Sequence, residues 1–507
     1  MCRLCLLPLA ALGVAAAGCW DSADTDQGLA GLQVRKALAT PMPSLCDLTP
    51  KTVPVDGHAL PLSFNGTVNN LHSAVQHIIH RYLGRLYVTY VFSVGKHVQY
   101  YYPTFCTIPW AAGTVEPPCQ EAVINAAIPP GGYSDIAVAR INHTTHVVLI
   151  AGDAGTAQDG SKKTTDSVVV FFDGSFSAPT TLETSSAPGT GHKAARGADL
   201  LWLPPFADDS GELIYPEGPT AVVSGELGTQ FFAPRLTGAG LAYSSKPDLT
   251  LPPQGTTVSS NLAAALVDRT LVVTARSRWN DAYNETTVLD ASNFVYKIQA
   301  NGTLQQATSF SKSCQSVDVT KLSSIAPYLF VVANGGEANY AQPNQMLSIP
   351  PGTVTPTPVS TCAPQQAIQA NLSCETGSAA TGTPVPTTDA DDFDTRSRKV
   401  LSATHEGSTY LLTVNSCQTS YVTRYNRGVA VELFQLEGSR VCGENEDYFV
   451  RGGDIACFAG LCRVALTLYN ESTYLYTLPC GRPYARWQRL YHRWRRARGK
   501  YGSDGPR

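Results

Sequence analysis

What this chain has little of sets its limits. It carries three Met in 507 residues, and only 15% of its residues are charged. Against that stand 42 Gly and 34 Pro, which favour short strands and turns over long helices. The formal net charge is −3, so nothing draws the whole molecule to nucleic acid, and no nucleic-acid partner is expected. Past residue 18 no stretch approaches the roughly twenty uncharged apolar residues of a spanning helix. Past residue 18 there is also no CxxC pair, which argues against a structural zinc site. The GxSxG elbow, HExxH, the Walker loop and GxGxxG before a helix are all missing. So is the Ser-x-Asp-x-Gly-x-x-Trp box of propeller sialidases. A missing motif does not exclude an enzyme, but it shifts the balance towards a binding module.

What is present points outward from the cell. Arg3 precedes an apolar run from Leu4 to Ala17, and Ala15-Ala16-Ala17-Gly18 offers small residues for cleavage. Residues 1–18 therefore read as a secretory signal peptide. A lipoprotein anchor at Cys19 and a short signal-anchor are the competing readings. Of fourteen cysteines, Cys2 and Cys5 fall in that leader, which leaves an even twelve. Short separations suggest four disulfides: Cys106–Cys119, Cys362–Cys374, Cys417–Cys442 and Cys457–Cys462. Six Asn-x-Ser/Thr sequons stand at Asn65, Asn142, Asn284, Asn301, Asn371 and Asn470. Asn142, Asn301 and Asn470 fall in expected turns, where a glycan points to solvent. The expected product is a secreted or extracellular-surface glycoprotein.

The apolar runs repeat. From Tyr133 to Leu182 they fall at Ile136–Ile141, His146–Ala151 and Ser167–Phe172, with Asp173-Gly174 as a hairpin signal. Similar units start near Ser73, Gly197, Asn261, Ser316, Lys399 and Gly452, mostly roughly 55–65 residues apart. In the unit at Gly197 the segment ADDSGELIYPEGP displaces the second strand. A fixed period of short meander strands predicts an all-β fold, a β-propeller of seven blades. A plain large β-sandwich is the alternative. The expected limits are an N-terminal arm at 19–66 placed to lend a closing strand, a propeller at 67–481, and a Pro/Thr-rich insertion at 350–394. Asp135, HVVLIAG (His146–Gly152) and DSVVVFFDGSF (Asp166–Phe176) together resemble the EAR (EPTP) repeat. Related runs are RTLVVTAR and YLFVVAN. That resemblance implies a seven-bladed propeller acting as an extracellular recognition module.

Candidate sites follow from side-chain chemistry. Equivalent loops of a repeated meander emerge on one face, and the richest is the loop of the fourth unit. It carries Arg276, Arg278, Trp279, Asp281 and Tyr283, of the residue types enriched in binding hot spots, beside the sequon at Asn284. A blade-edge cap with solvated charges is the competing reading of that loop. His72, His77 and His80 lack the carboxylate or Cys company of a metal site and read as ordinary core or surface histidines. The sequence calls for no cofactor. A structural calcium stays open at Asp389, Asp391, Asp392 and Asp394, though the EF-hand spacing is missing and a solvated acidic run competes. Residues 482–507 form a basic tail with Trp487, Leu490, Tyr491 and Trp494 at helical spacing. An anionic polymer or lipid is its expected partner, and a frayed solvated tail the alternative. For the propeller itself the expected partner is an extracellular protein or glycan receptor. The competing function is an exported propeller enzyme acting on glycans, or a viral attachment glycoprotein of sialidase-like fold.

Overall fold

The computed structural model describes residues 51–59, 70–96, 100–110, 120–122, 132–156, 162–184, 195–225, 227–251, 264–267, 269–275, 292–310, 314–320, 329–335, 345–349, 357–358, 397–415, 419–426, 429–439, 450–468 and 473–480. Every element in these segments is a strand. They form seven antiparallel meander sheets of four or more strands, taken up in chain order. The first strands are Asn70–Tyr82, Gly132–Arg140, Ala195–Leu201, Ala264–Val267, Cys314–Thr320, Ser397–His405 and Val450–Phe458, and they begin blades 1 to 7. Each first strand lies against that of the next blade, and blade 7 returns to blade 1. Separate sheets in ring order define a β-propeller and exclude the two-sheet sandwich.

The continuous apolar runs are explained by burial on both faces of each sheet. In blade 2, Val147, Leu149 and Ala151 pack with Leu200, Val223 and Phe232 of blade 3. The alternate residues Val148 and Ile150 pack with Ile78, Val91 and Phe105 of blade 1. Period-2 geometry thus sends neighbouring residues into different interfaces, so a strand needs apolar side chains at every position. The core is the set of blade-to-blade seams.

Two short strands before blade 1 pair with the end of the chain. Lys51–Val55 runs parallel to Val429–Leu436 as a fifth strand of blade 6. His58–Ala59 pairs antiparallel with Tyr474–Leu475 as the fourth strand of blade 7. Between them Gly57 lies so close to the Tyr476 ring that a Cβ would stand 2.4 Å from it. The segment Leu71–Leu83, whose apolar spacing also suits a helix, is strand from Asn70 to Tyr82. The third strand of blade 1 is Tyr100–Pro109.

A four-stranded meander gives the ring two unlike faces. Connections between strands 1 and 2, and between 3 and 4, leave on one of them. Among the described residues most of these connections are tight turns. Blades 1, 6 and 7 use the same two-residue turn: Leu83-Gly84, Glu406-Gly407 and Ala459-Gly460, every residue at positive φ. Such turns match the twist of the flanking strands. Connections between strands 2 and 3, and between blades, leave on the opposite face. Between the second and third strands of blade 2, Ala154–Thr156 pairs with Lys162–Thr164.

Candidate functional site

The loop residues Arg276, Arg278, Trp279, Asp281, Tyr283 and Asn284 lie outside the described residues. So do the sequons Asn65, Asn371 and Asn470, the cysteines Cys119, Cys362, Cys374, Cys417 and Cys442, the acidic run at Asp389–Asp394, and the basic tail. The remaining sequence candidates can be placed, and three groups of side chains come together.

The first group lines the seams between first strands. Asp135 accepts from its neighbour Ile136 N at 3.0 Å and from Ala198 N of blade 3 at 3.1 Å. Asp199 repeats the arrangement, accepting from Leu200 N at 2.8 Å and from Ala264 N of blade 4 at 3.1 Å. Asp454 closes the ring: one carboxylate oxygen accepts from His77 N at 2.7 Å and meets His77 Nδ1 at 2.6 Å. Each carboxylate pins its blade to the next. The His77–Asp454 pair is buried and sits beside Tyr90, whose ring lies 4.6 Å from the imidazole. Arg463, also buried, donates to Trp110 O at 2.7 Å and stands 5.7 Å from that indole's centroid. Burial pushes the Tyr90 hydroxyl well above the usual phenol range. This buried polar set welds blade 7 to blade 1. A common Asp recurs in YSDIA, GADLL and GGDIA, the signal by which the sequence marks these pins.

The second group is a pair of imidazoles between blades 1 and 2. His80 Nε2 meets Thr89 Oγ1 at 3.1 Å, and its ring stands edge-on to Phe172 with centroids 4.8 Å apart. Burial lowers its pKa to about 4. His146 is likewise lowered to about 4, first by burial and then by repulsion from His80 and Arg140. The histidines are core groups, as the sequence suggested for His77 and His80.

The third group lies on the tight-turn face. The described residues expose five large hydrophobic side chains: Leu83, Trp202, Tyr215, Leu236 and Phe458. All five sit in or beside connections of that face, and three belong to blade 3. Blade 3 departs from the tight-turn pattern twice there. Between its first two strands, residues 202–219 carry a small hairpin pairing Phe206–Ala207 with Leu213–Ile214. Between its last two strands, Pro234–Thr237 pairs with Gly240–Tyr243. The two inserts brace each other: Glu217 N donates to Pro234 O at 3.2 Å, the Glu217 carboxylate accepts from Leu236 N, and Tyr243 Oη donates to Pro219 O at 2.5 Å. The first hairpin also meets blade 4, where Ala207 N donates to Gly302 O at 3.0 Å. The result is a braced ridge presenting Trp202, Tyr215 and Leu236. Its rim is acidic, with Asp209, Glu212 and Glu217 exposed and Asp208 half-buried. The Ser210 hydroxyl on Asp208 holds that carboxyl below its usual range. Arg235 is committed to Asp248 at 2.6 Å. The displaced second strand noticed in the sequence was this ridge, though its apolar tip was not foreseen.

Of the expected disulfides, Cys457–Cys462 is present, across the register of one hairpin. Cys106 is disulfide-bonded. Cys480 is a buried free thiol whose sulfur lies within 4.8 Å of the Cys457 and Cys462 sulfurs. Burial, first of all, pushes it up to about 12. Two sequons are placed, both in exposed turns of the tight-turn face. Asn142 Oδ1 accepts from Thr144 N at 2.9 Å and Thr144 Oγ1 at 3.1 Å. Asn301 Oδ1 accepts from Thr303 N at 3.2 Å and Thr303 Oγ1 at 2.8 Å.

No protein-family model and no curated protein matches the chain. Among solved structures it is similar to BBS1N in complex with ARL6DN, at 10% identity and TM-score 0.39, over 85% of this chain and 99% of that one. It is similar to Trypanosoma rangeli sialidase in complex with the inhibitor DANA, at 9% identity and TM-score 0.38, over 90% of this chain and 62% of the sialidase. It is also similar to Chaetomium thermophilum Raptor, at 10% identity and TM-score 0.42, over 82% of this chain and 28% of Raptor. Likeness at this level says nothing of function, and the propeller rests on the sheet order.

Proposed function

We propose that the chain is a secreted or cell-surface glycoprotein whose propeller is a recognition module, and that its partner is an extracellular protein docking on the blade 3 ridge. The observation that carries this reading is that the two inserts of blade 3, braced against each other, expose Trp202, Tyr215 and Leu236. Exposed aromatic anchors on a rigid support, rimmed by polar groups, are the anatomy of a protein interface. The acidic rim favours a partner that presents basic and apolar side chains together. The leader-like start, the sequons and the Cys457–Cys462 disulfide support an oxidising, extracellular setting. The first-strand carboxylates Asp135, Asp199 and Asp454 are engaged by backbone amides of the next blade, which favours binding over glycan cleavage.

The test is staining of a cell panel with labelled protein. Trp202→Ala with Leu236→Ser should cut staining at least tenfold while leaving the melting temperature in place. Arg278→Ala with Trp279→Ala should leave it unchanged. The reverse pattern would hand recognition to the fourth-unit loop and sink the ridge.

A further inference from the structure

We propose that the basic C-terminal segment, residues 482–507, docks on the blade 3 ridge of its own chain. The inference rests on the reading of that ridge as a recognition surface, and it names a chemistry the ridge would accept. Three observations lead to it.

The first is where the chain goes. The last described strand, Thr473–Pro479, runs towards the tight-turn face, and Cys480 N donates to Gly460 O in a turn of that face at 3.0 Å. The described chain therefore ends on the face that bears the ridge. Residues 481–507 have a contour of up to about 90 Å when extended, ample for crossing one face of a small domain.

The second is charge. Residues 482–507 hold nine Lys and Arg against Asp504 alone. Taking that formal +8 from the chain's −3 leaves −11 on the rest. Part of that excess sits at the ridge, whose two inserts hold Asp208, Asp209, Glu212, Glu217 and Asp248 against Arg235 and Lys246. Arg235 is tied to Asp248, and among the described residues Asp208, Asp209 and Glu217 meet backbone or hydroxyl donors rather than a cation, so their charge stays on the ridge.

The third is the apolar match. Trp487, Leu490, Tyr491 and Trp494 fall at i, i+3, i+4 and i+7, one stripe of a helix with Arg on its flanks. So short a helix is marginal alone in water and gains stability by burying its stripe. Trp202, Tyr215 and Leu236 offer an exposed apolar surface with acids around it. The docked tail then acts as an internal competitor: a partner with a similar basic and aromatic segment displaces it.

The test uses the full chain. Lys500 is the only Lys of the tail. At low salt, a zero-length carbodiimide should couple its amine to a carboxylate within Asp208–Glu217, read by peptide mass spectrometry. Trp202→Ala with Leu236→Ser should lower that product at least tenfold, and so should raising the salt to 0.5 M. With isotopically light and heavy protein mixed, the product should join residues of one label. Coupling of Lys500 elsewhere, no coupling, a product unchanged in the variant, or a mixed-label product would each overturn docking within the chain. Binding of the tail to heparin or acidic vesicles without ridge coupling would overturn it too. Cell staining separates the two ideas: if the ridge variant loses staining but Lys500 never reaches the ridge, the surface stands and the tail docking falls.

Discussion

At the scale of single residues, burial decides charge. His80 and His146 are held neutral in the fold, both lowered to about 4 from 6.5. The unfolded chain takes up their protons first, so their contribution is whole above about pH 6.5 and drains away as pH falls towards 4. Discounted for partial hydration, the loss is on the order of 2 kcal/mol. Thermal melts from pH 7.5 to 4.5 should show it, and His80→Phe with His146→Phe should flatten the slope; a slope as steep in the variant would clear the imidazoles. Cys480 makes a parallel case. A buried thiol pushed up to about 12 is almost wholly protonated at neutral pH and shielded from reagent. Iodoacetamide should label it only after unfolding, and labelling of the native protein within minutes would show that the packing around Cys480 opens.

At the scale of the element, the seams carry the fold, and close approaches mark where they admit no substitute. A Cβ on Gly152 would stand 1.9 Å from Thr165 O, so Gly152→Ala must drive the second strand of blade 2 away from its neighbour. Gly57→Ala would press on Tyr476, loosening the clasp that lends blade 7 its outer strand. Both should lose about 1–3 kcal/mol. Hydrogen exchange distinguishes them: Gly57→Ala should raise exchange in Thr473–Pro479, whereas protection equal to wild type there would deny the clasp its role. The meander was legible in the sequence because strands such as HVVLIAG must be apolar on both sides. The shared turns of blades 1, 6 and 7 were not, since Leu-Gly, Glu-Gly and Ala-Gly lack the Asn-Gly or Asp-Gly signature of that turn. Nor was the inter-blade role of Asp135, Asp199 and Asp454, since a repeated Asp does not say which backbone amide it will meet. The ridge showed in sequence only as a misfit in the third unit. Its exposed aromatics depend on hairpin pairings, Phe206–Ala207 with Leu213–Ile214 and Pro234–Thr237 with Gly240–Tyr243, that no local pattern announces.

At the scale of the whole molecule, the tight-turn face carries both the ridge and the two placed sequons. The sequon turns at Asn142 and Asn301 belong to blades 2 and 4, on either side of the ridge of blade 3. Glycans there would fence the ridge without covering it, and this arrangement suggests a test that uses the glycan itself as a wedge. Leu236→Asn with Gly238→Thr introduces an acceptor at the exposed hairpin tip. Gly238 has open space where a Cβ would go and an ordinary φ, so the second change costs little. Leu236 is 69% exposed, so little packing is lost with it. Protein exported from a eukaryotic cell should gain the mass of one added glycan and keep its melting temperature. It should lose cell staining by at least tenfold, because a branched sugar at the tip keeps any protein surface off Trp202 and Tyr215. Asn142→Gln and Asn301→Gln should each remove one glycan and change staining by less than about twofold, as expected for groups at the rim of an interface. Undiminished staining by the wedged protein would place recognition elsewhere, and an exported chain that never gains sugar at 142, 301 or the new acceptor would overturn the glycoprotein reading.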